Sequence, residues 1–208
     1  MTAPLLIVGC GPGAPDLITP AARRAALEAE VLAGTPRLLE LFPEAPGERL
    51  AYAGGLEPFL QGLEARVGKK RITVLVTGDP GVASLAGTLR RRFGKDACRV
   101  IPGISSVQLA FAEAGLDWMD ARILRAHGEV PEWDPAWAVH AGPFAILAGA
   151  DEAAVFAAKL AAHLDREAVW RCERLGLPGQ RIDRMEPAAL ARAGCDSLSV
   201  LIVEGEVR

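Results

Sequence analysis

Four apolar residues, Leu5-Leu6-Ile7-Val8, run directly into Gly9-Cys10-Gly11-Pro12-Gly13-Ala14-Pro15. A run that short suits a buried strand, and the glycines and prolines behind it bar a helix from starting in the loop. The helix waits for Thr19-Pro20, an N-cap followed by proline at the first helical position. A strand, a wide glycine loop and a delayed helix commit the chain to a β-α crossover. The same rhythm then repeats downstream, as it does in largely parallel α/β sheets.

After a helix over 20–30 the pattern predicts a strand at 31–33, helices at 36–42 and 57–67, and a strong strand at 72–76. A helix over 82–93 follows, closed by Gly94, with Arg90, Arg91 and Arg92 in its last turn, where cations suit the helix dipole. A strand at 98–101 leads into a helix that ends at Gly115. Composition breaks at Leu116-Asp117-Trp118-Met119-Asp120, and a second set of elements begins. It comprises strands at 122–126, 144–148, 168–172 and 198–203, helices at 134–140, 151–164 and 186–193, and an extended piece near 181–184. The expectation is two α/β domains, 1–117 and 118–208, the first with a mostly parallel sheet and the second with a mixed one. Half of the 208 residues are apolar and 24% are charged, enough to bury real cores.

The formal net charge of −3 offers no global attraction for nucleic acid or an anionic membrane. The longest uncharged stretch, 135–150, is broken by prolines and falls short of the ~20 residues a membrane helix needs. Met1-Thr2-Ala3-Pro4 carries no basic leader segment. Cys10, Cys98, Cys172 and Cys195 stand apart, without C-x-x-C or paired histidine spacing, so no metal cage is expected and a reduced cytoplasm fits.

Gly9, Gly11 and Ala14 match the dinucleotide pattern G-x-G-x-x-[GA]. In that motif the third position lies inside the helix that holds the pyrophosphate, whereas Pro12, Gly13 and Pro15 delay the helix here. The acidic residue expected after the second strand is also missing, since Gly34-Thr35 follow it. Two further loops leave strands at the same carboxyl end, Thr77-Gly78-Asp79-Pro80-Gly81 and Pro102-Gly103-Ile104-Ser105-Ser106, and ligands of open parallel sheets sit there. Neither is a P-loop, because no Gly-Lys-Ser/Thr follows. Backbone groups and serine hydroxyls remain, which suit adenosine and the amino-acid end of a phosphate-free cofactor such as S-adenosyl-L-methionine. Ser105 or Ser106 with His127 lacks the G-x-S-x-G elbow of a hydrolase. His127, in Arg125-Ala126-His127-Gly128, reads as a polar loop residue able to meet a substrate, and His163 as a helix-end residue. Cys172-Glu173-Arg174 reads as an ion pair just past a strand.

The ordered set of motifs resembles the tetrapyrrole methylase superfamily and, within it, the precorrin C5-methyltransferase group. The residues that carry the resemblance are Ile7 to Gly13 with Asp16-Leu17-Ile18-Thr19, Ala33-Gly34-Thr35-Pro36-Arg37, Gly78-Asp79-Pro80, Ile101 to Ala110, Ala126-His127-Gly128 and Cys172 to Gly176. The resemblance implies a two-domain α/β fold with S-adenosyl-L-methionine between the domains, a homodimer, and methylation at C5 of a late precorrin, with or without cobalt. By motif position, the cofactor contacts are Pro12, Gly78, Asp79, Val82, Ser105, Ser106, Ala148 and Leu175. Gly11, Gly13, Arg37, Arg125, His127 and Arg174 are substrate-contact candidates, the arginines as partners for its carboxylates. Asp79, His127 and Glu173 are candidate proton acceptors. Two departures from the family pattern bear on these sites: Gly81-Val82-Ala83-Ser84 stands where a longer, often aromatic side chain usually follows Gly-Asp-Pro, and Glu129 stands where arginine often follows His-Gly. Relatives can carry a second module for C15 methylation and decarboxylation; this chain resembles the C5 half, so a separate protein is expected for that step. Diphthine synthase, another tetrapyrrole methylase, or a non-catalytic relative that only binds the ligand are the competing readings.

Overall fold

The structure, a computed structural model, describes residues 4–205. The leader reading at residues 1–3 and the chain end at 206–208 lie outside the described residues. The chain divides into two compact units, Met1–Ser105 and Ser106–Arg208.

The first unit is a five-stranded sheet of β1 (Leu5–Gly9), β2 (Val31–Gly34), β3 (Glu48–Ala51), β4 (Ile72–Val76) and β5 (Cys98–Ile101). Its order is β3-β2-β4-β1-β5 and every pairing is parallel. The helices are α1 (Pro20–Leu27), α2 (Pro36–Leu39), α3 (Leu56–Glu64) and α4 (Ala86–Phe93). Side-chain alternation along the strands assigns them to faces. Val8, Leu32 and Leu75 pack with Ala22, Ala26, Leu38 and Phe42 of the α1–α2 side. Ile7, Val31, Val74 and Val76 pack with Phe59, Leu63 and Leu89 of the α3–α4 side. Thr19 caps α1 as its sequence demands, its hydroxyl accepting from the Ala22 N–H at 3.1 Å.

Two features of this unit depart from the sequence reading. Strand β3 was not expected, because Glu48-Arg49-Leu50-Ala51 has no apolar run and lies mostly exposed at the sheet edge. It is held from outside: the Arg49 guanidinium donates to the carbonyls of Leu39 and Phe42 at 2.7 and 2.6 Å. Helix α4 starts at residue 86 instead of 82. Ala83 adopts φ 45°, and the Ser84 hydroxyl donates to the Pro80 carbonyl at 2.6 Å, so 80–84 form a turn.

The second unit comprises α5 (Ser106–Ala114), β6 (Arg122–Ala126), β7 (Phe144–Ala148), α6 (Asp151–His163), β8 (Val169–Glu173), β9 (Arg181–Met185), α7 (Pro187–Ala193) and β10 (Ser199–Val203). Its sheet runs β6-β7-β10-β8-β9, with β6 and β7 parallel and the other pairs antiparallel. Helices α6 and α7 bury Ala154, Ala157, Leu160 and Leu190 against Phe144, Ile146, Leu201 and Val203. Helix α5 packs against β10, so the division of the chain falls before α5 while the composition break at 116–120 comes after it. The helix expected at 134–140 is a single 3-10 turn, Pro135–Trp137. Only Trp137 there faces the core, at 4% exposure against 86% for Val139, so no apolar stripe sustains a longer helix.

Among the described residues no helix is long and apolar enough to cross a membrane, and no cluster of His, Cys, Asp and Glu could hold a metal ion.

Candidate functional site

Strands β4, β1 and β5 are neighbours, so the loops at their carboxyl ends meet on one rim of the first sheet. Gly11 and Gly78 form an isolated antiparallel bridge between the first two loops. The Gly78 N–H donates to the Gly11 carbonyl at 2.8 Å and the Gly11 N–H returns a longer bond at 3.3 Å. The contact of all three loops is tight enough to exclude a methyl group. A Cβ on Gly9 would lie 2.6 Å from both the Gly103 nitrogen and the Gly78 oxygen, and one on Gly103 would lie 2.5 Å from the Gly78 oxygen. Glycine at these positions is a requirement of backbone approach, since neither has a positive φ.

Asp79 sits at the centre of the rim. Its Oδ1 accepts the Gly81 N–H at 2.7 Å and its Oδ2 accepts the Gly103 N–H at 3.1 Å. The Asp79 carbonyl takes the Val82 N–H at 3.1 Å. Gly11, Pro12 and Gly13 are buried, as is Ser105. Arg37 of α2 reaches the same rim, donating to the Thr77 hydroxyl at 3.0 Å. Below it Cys10 is fully buried, and loss of solvation pushes its thiol up to about 12, with a backbone bond and the Arg37 charge acting weakly the other way.

The first unit thus brings together Gly11, Pro12, Gly13, Arg37, Gly78, Asp79, Val82 and Ser105. The rim presents backbone groups, the Thr77 and Ser105 hydroxyls, the Asp79 carboxylate and the Arg37 guanidinium, with no lysine and no phosphate-type glycine–lysine loop. That donor set fits a phosphate-free nucleoside with an amino-acid tail.

The second unit supplies the remaining sequence candidates along one edge of its own sheet. Register pairs Ala126 with Ala148, Ala148 with Ser199, and Ser199 with Glu173. His127 therefore follows β6 beside Gly149, where a Cβ would come within 2.5 Å of the imidazole Nδ1. Arg125, His127, Gly128 and Glu129 line a cavity of about 750 Å³ with Val130, Pro131 and Glu132. Ala148 and Leu175 are buried, and Ser106 begins α5.

Glu173 corrects the sequence reading, which paired it with Arg174 just past a strand: it is the last residue of β8. It is 6% exposed, and its Oε1 accepts the Asp196 N–H at 2.9 Å. Its Oε2 lies 3.8 Å from Arg171 Nε and 3.7 Å from Arg181 Nη1. Arg171 in turn contacts Asp183 at 2.7 Å. Arg174, at φ 52°, donates to the Pro178 carbonyl and faces Asp196 at 3.8 Å. The alternation Arg171-x-Glu173 on one strand and Arg181-x-Asp183 on its antiparallel neighbour was the sequence signal for this quartet, and it was missed. Thr77 and Gly149, partners of Arg37 and His127, carried no local signal. His163 ends α6 with its ring 4.1 Å from that of Trp133.

A family model described as tetrapyrrole (corrin/porphyrin) methylases matches residues 4–191. Among curated proteins, the cobalt-precorrin-7 C(5)-methyltransferase of Salmonella typhimurium is 40% identical over 124 residues, covering 60% of this chain and 61% of that one. The chain thus spans about three fifths of the length of such relatives. The structure of a precorrin-6Y methylase of cobalamin biosynthesis from Archaeoglobus fulgidus has a TM-score of 0.74 and 25% identity, covering 98% of this chain and 99% of that one. A uroporphyrin-III C-methyl transferase from Thermus thermophilus complexed with S-adenyl homocysteine shares the fold, with a TM-score of 0.76 and 23% identity over 97% of this chain and 92% of that one. The glycine-braced rim, the two sheets and the length of the match agree, and the chain belongs to the tetrapyrrole (corrin/porphyrin) methylases.

Proposed function

We propose that the protein is an S-adenosyl-L-methionine-dependent C-methyltransferase that methylates C5 of a late precorrin in cobalamin biosynthesis, acting in the cytoplasm as a homodimer. The observation that carries the substrate assignment is the 40% identity to the Salmonella C(5)-methyltransferase; the rim of three loops supports the cofactor. Motif position supports Pro12, Gly78, Asp79, Val82 and Ser105 of the first unit, and Ser106, Ala148 and Leu175 of the second, as its contacts.

When bound, the cofactor supplies a methyl group already activated on a sulfonium. The protein's work is then alignment of the attacking carbon and exclusion of water, and no nucleophilic side chain is needed. The closed Gly9–Gly78–Gly103 contact offers a rigid wall for that purpose. A precorrin carries many carboxylates, and Arg37, Arg125, His127 and Arg174 give an acidic protein local donors for them. Gly11 and Gly13 leave the first loop free of side chains where a flat macrocycle has to approach. Of the proton-acceptor candidates, Asp79 and Glu173 have both oxygens engaged by N–H donors or guanidinium groups, whereas the His127 ring lines an open cavity.

The test is incubation of purified protein with methyl-labelled S-adenosyl-L-methionine and a defined late precorrin, followed by mass and methylation-site analysis. One added methyl at C5 is expected. Label at another position, or transfer to a protein acceptor as in diphthine synthesis, overturns the assignment.

A further inference from the structure

Two hydrogen bonds of the first unit belong to no strand or helix and converge on one side chain. Asp79 accepts from Gly81 within its own turn and from Gly103 across to the loop after β5. Its neighbour Gly78 is bridged to Gly11 in the loop after β1. The three loops are therefore cross-linked through two consecutive residues, one by its backbone and the other by its carboxylate.

We propose that Asp79 is a positioning residue: by tying the loop after β4 to the loop after β5, its carboxylate sets the affinity of the rim for the adenosyl donor, and it takes no proton during transfer. This rests on the cofactor assignment made above. An ionised carboxylate is an acceptor-only group, and its bonds to N–H donors are stronger than those between neutral groups. Both Asp79 oxygens are used in this way. Protonation would remove the charge on which both amides rely, so service as a base would loosen the rim at the moment it must stay closed. Backbone approach at Gly103 brings its N–H within reach, since no Cβ separates it from the Gly78 carbonyl. A rim ordered in advance spares the ligand the entropy of ordering it, and that saving appears as affinity.

The experiment compares wild type with Asp79→Asn. The amide keeps one acceptor oxygen but turns an NH2 group toward the second N–H. Titration calorimetry with S-adenosylhomocysteine is expected to show about tenfold weaker binding. KM for S-adenosyl-L-methionine should rise in parallel, while kcat at saturating cofactor stays within about threefold. Amide exchange followed by NMR supplies a readout independent of activity: the Gly103 N–H is protected in wild type and exchanges faster in the variant, while the amides of β4 are unchanged. Unaltered cofactor affinity with kcat reduced a hundredfold or more would make Asp79 a proton acceptor and overturn the proposal. An unprotected Gly103 amide in wild type overturns it even if the variant fails to fold. Wild-type protein that binds no S-adenosylhomocysteine overturns the cofactor assignment itself, whereas wild-type binding matched by the variant overturns only the role given to Asp79.

Discussion

A Cβ placed on Gly9 would stand 2.6 Å from the amide nitrogen of Gly103, closer than folded backbones tolerate. Gly9→Ala is therefore expected to push the loops after β1 and β5 apart, with a loss of about 3 kcal/mol in urea unfolding and a parallel loss of S-adenosylhomocysteine binding. Gly87→Ala is the internal control. It lies in α4, where the nearest atom to a new Cβ is Arg91 Nη1 at 3.5 Å, so helix propensity should raise stability by about 0.5–1 kcal/mol. Equal effects of the two substitutions would mean the rim is not closed.

The quartet on β8 and β9 separates buried from exposed charge. Arg171 and Glu173 have side chains 8% and 7% exposed, whereas Arg181 is 59% exposed. Arg171→Met removes the buried cation shared by Glu173 and Asp183, leaving Glu173 only the Asp196 N–H and the exposed Arg181, and is expected to destabilise by about 3 kcal/mol. Arg181→Ala should change stability by less than about 1 kcal/mol. Urea denaturation of both variants checks the ranking, and a reversed order would show that Glu173 is satisfied by Arg181 instead.

Burial pushes the thiols of Cys10 and Cys172 up to about 12 from 9.0. Above pH 9 the unfolded chain releases these protons while the folded chain keeps them, so the native state binds more protons and stability falls as pH rises toward 12. Each thiol contributes a decline of up to about 1.4 kcal/mol per pH unit in that window. Cys10→Ala should therefore lose less stability than wild type between pH 9 and 10.5, by about 2 kcal/mol at most, in unfolding titrations at the two pH values. Parallel declines would mean that Cys10 is solvated.

His127 lines its cavity from the second unit. On the proposed function, His127→Ala raises the KM for the precorrin about tenfold and leaves S-adenosylhomocysteine affinity unchanged. A change in cofactor affinity alone would place the imidazole at the cofactor and not at the tetrapyrrole.

Much of this architecture is written locally. Strands β4 and β7 begin and end where their apolar runs and flanking breakers say, because burial on both faces of a sheet leaves an uninterrupted signal. Thr19-Pro20 announces α1 through chemistry confined to four residues. The glycine loops could be assigned to one edge of one sheet, since parallel strands must share a carboxyl end. Three matters lay beyond that reach. Edge strand β3 depends on a guanidinium from its own chain meeting carbonyls of another segment, and no periodicity encodes it. Glu173 shares its strand and face with Arg171, but it meets Arg181 only through antiparallel register, which joins residues on different strands. Asp79 takes its meaning from Gly103, 24 positions away. Sequence alone determined which groups stand on the rim; folding decided which of them spend their hydrogen bonds holding it together, because a carboxylate's partners are fixed by three-dimensional approach and not by its neighbours in the chain.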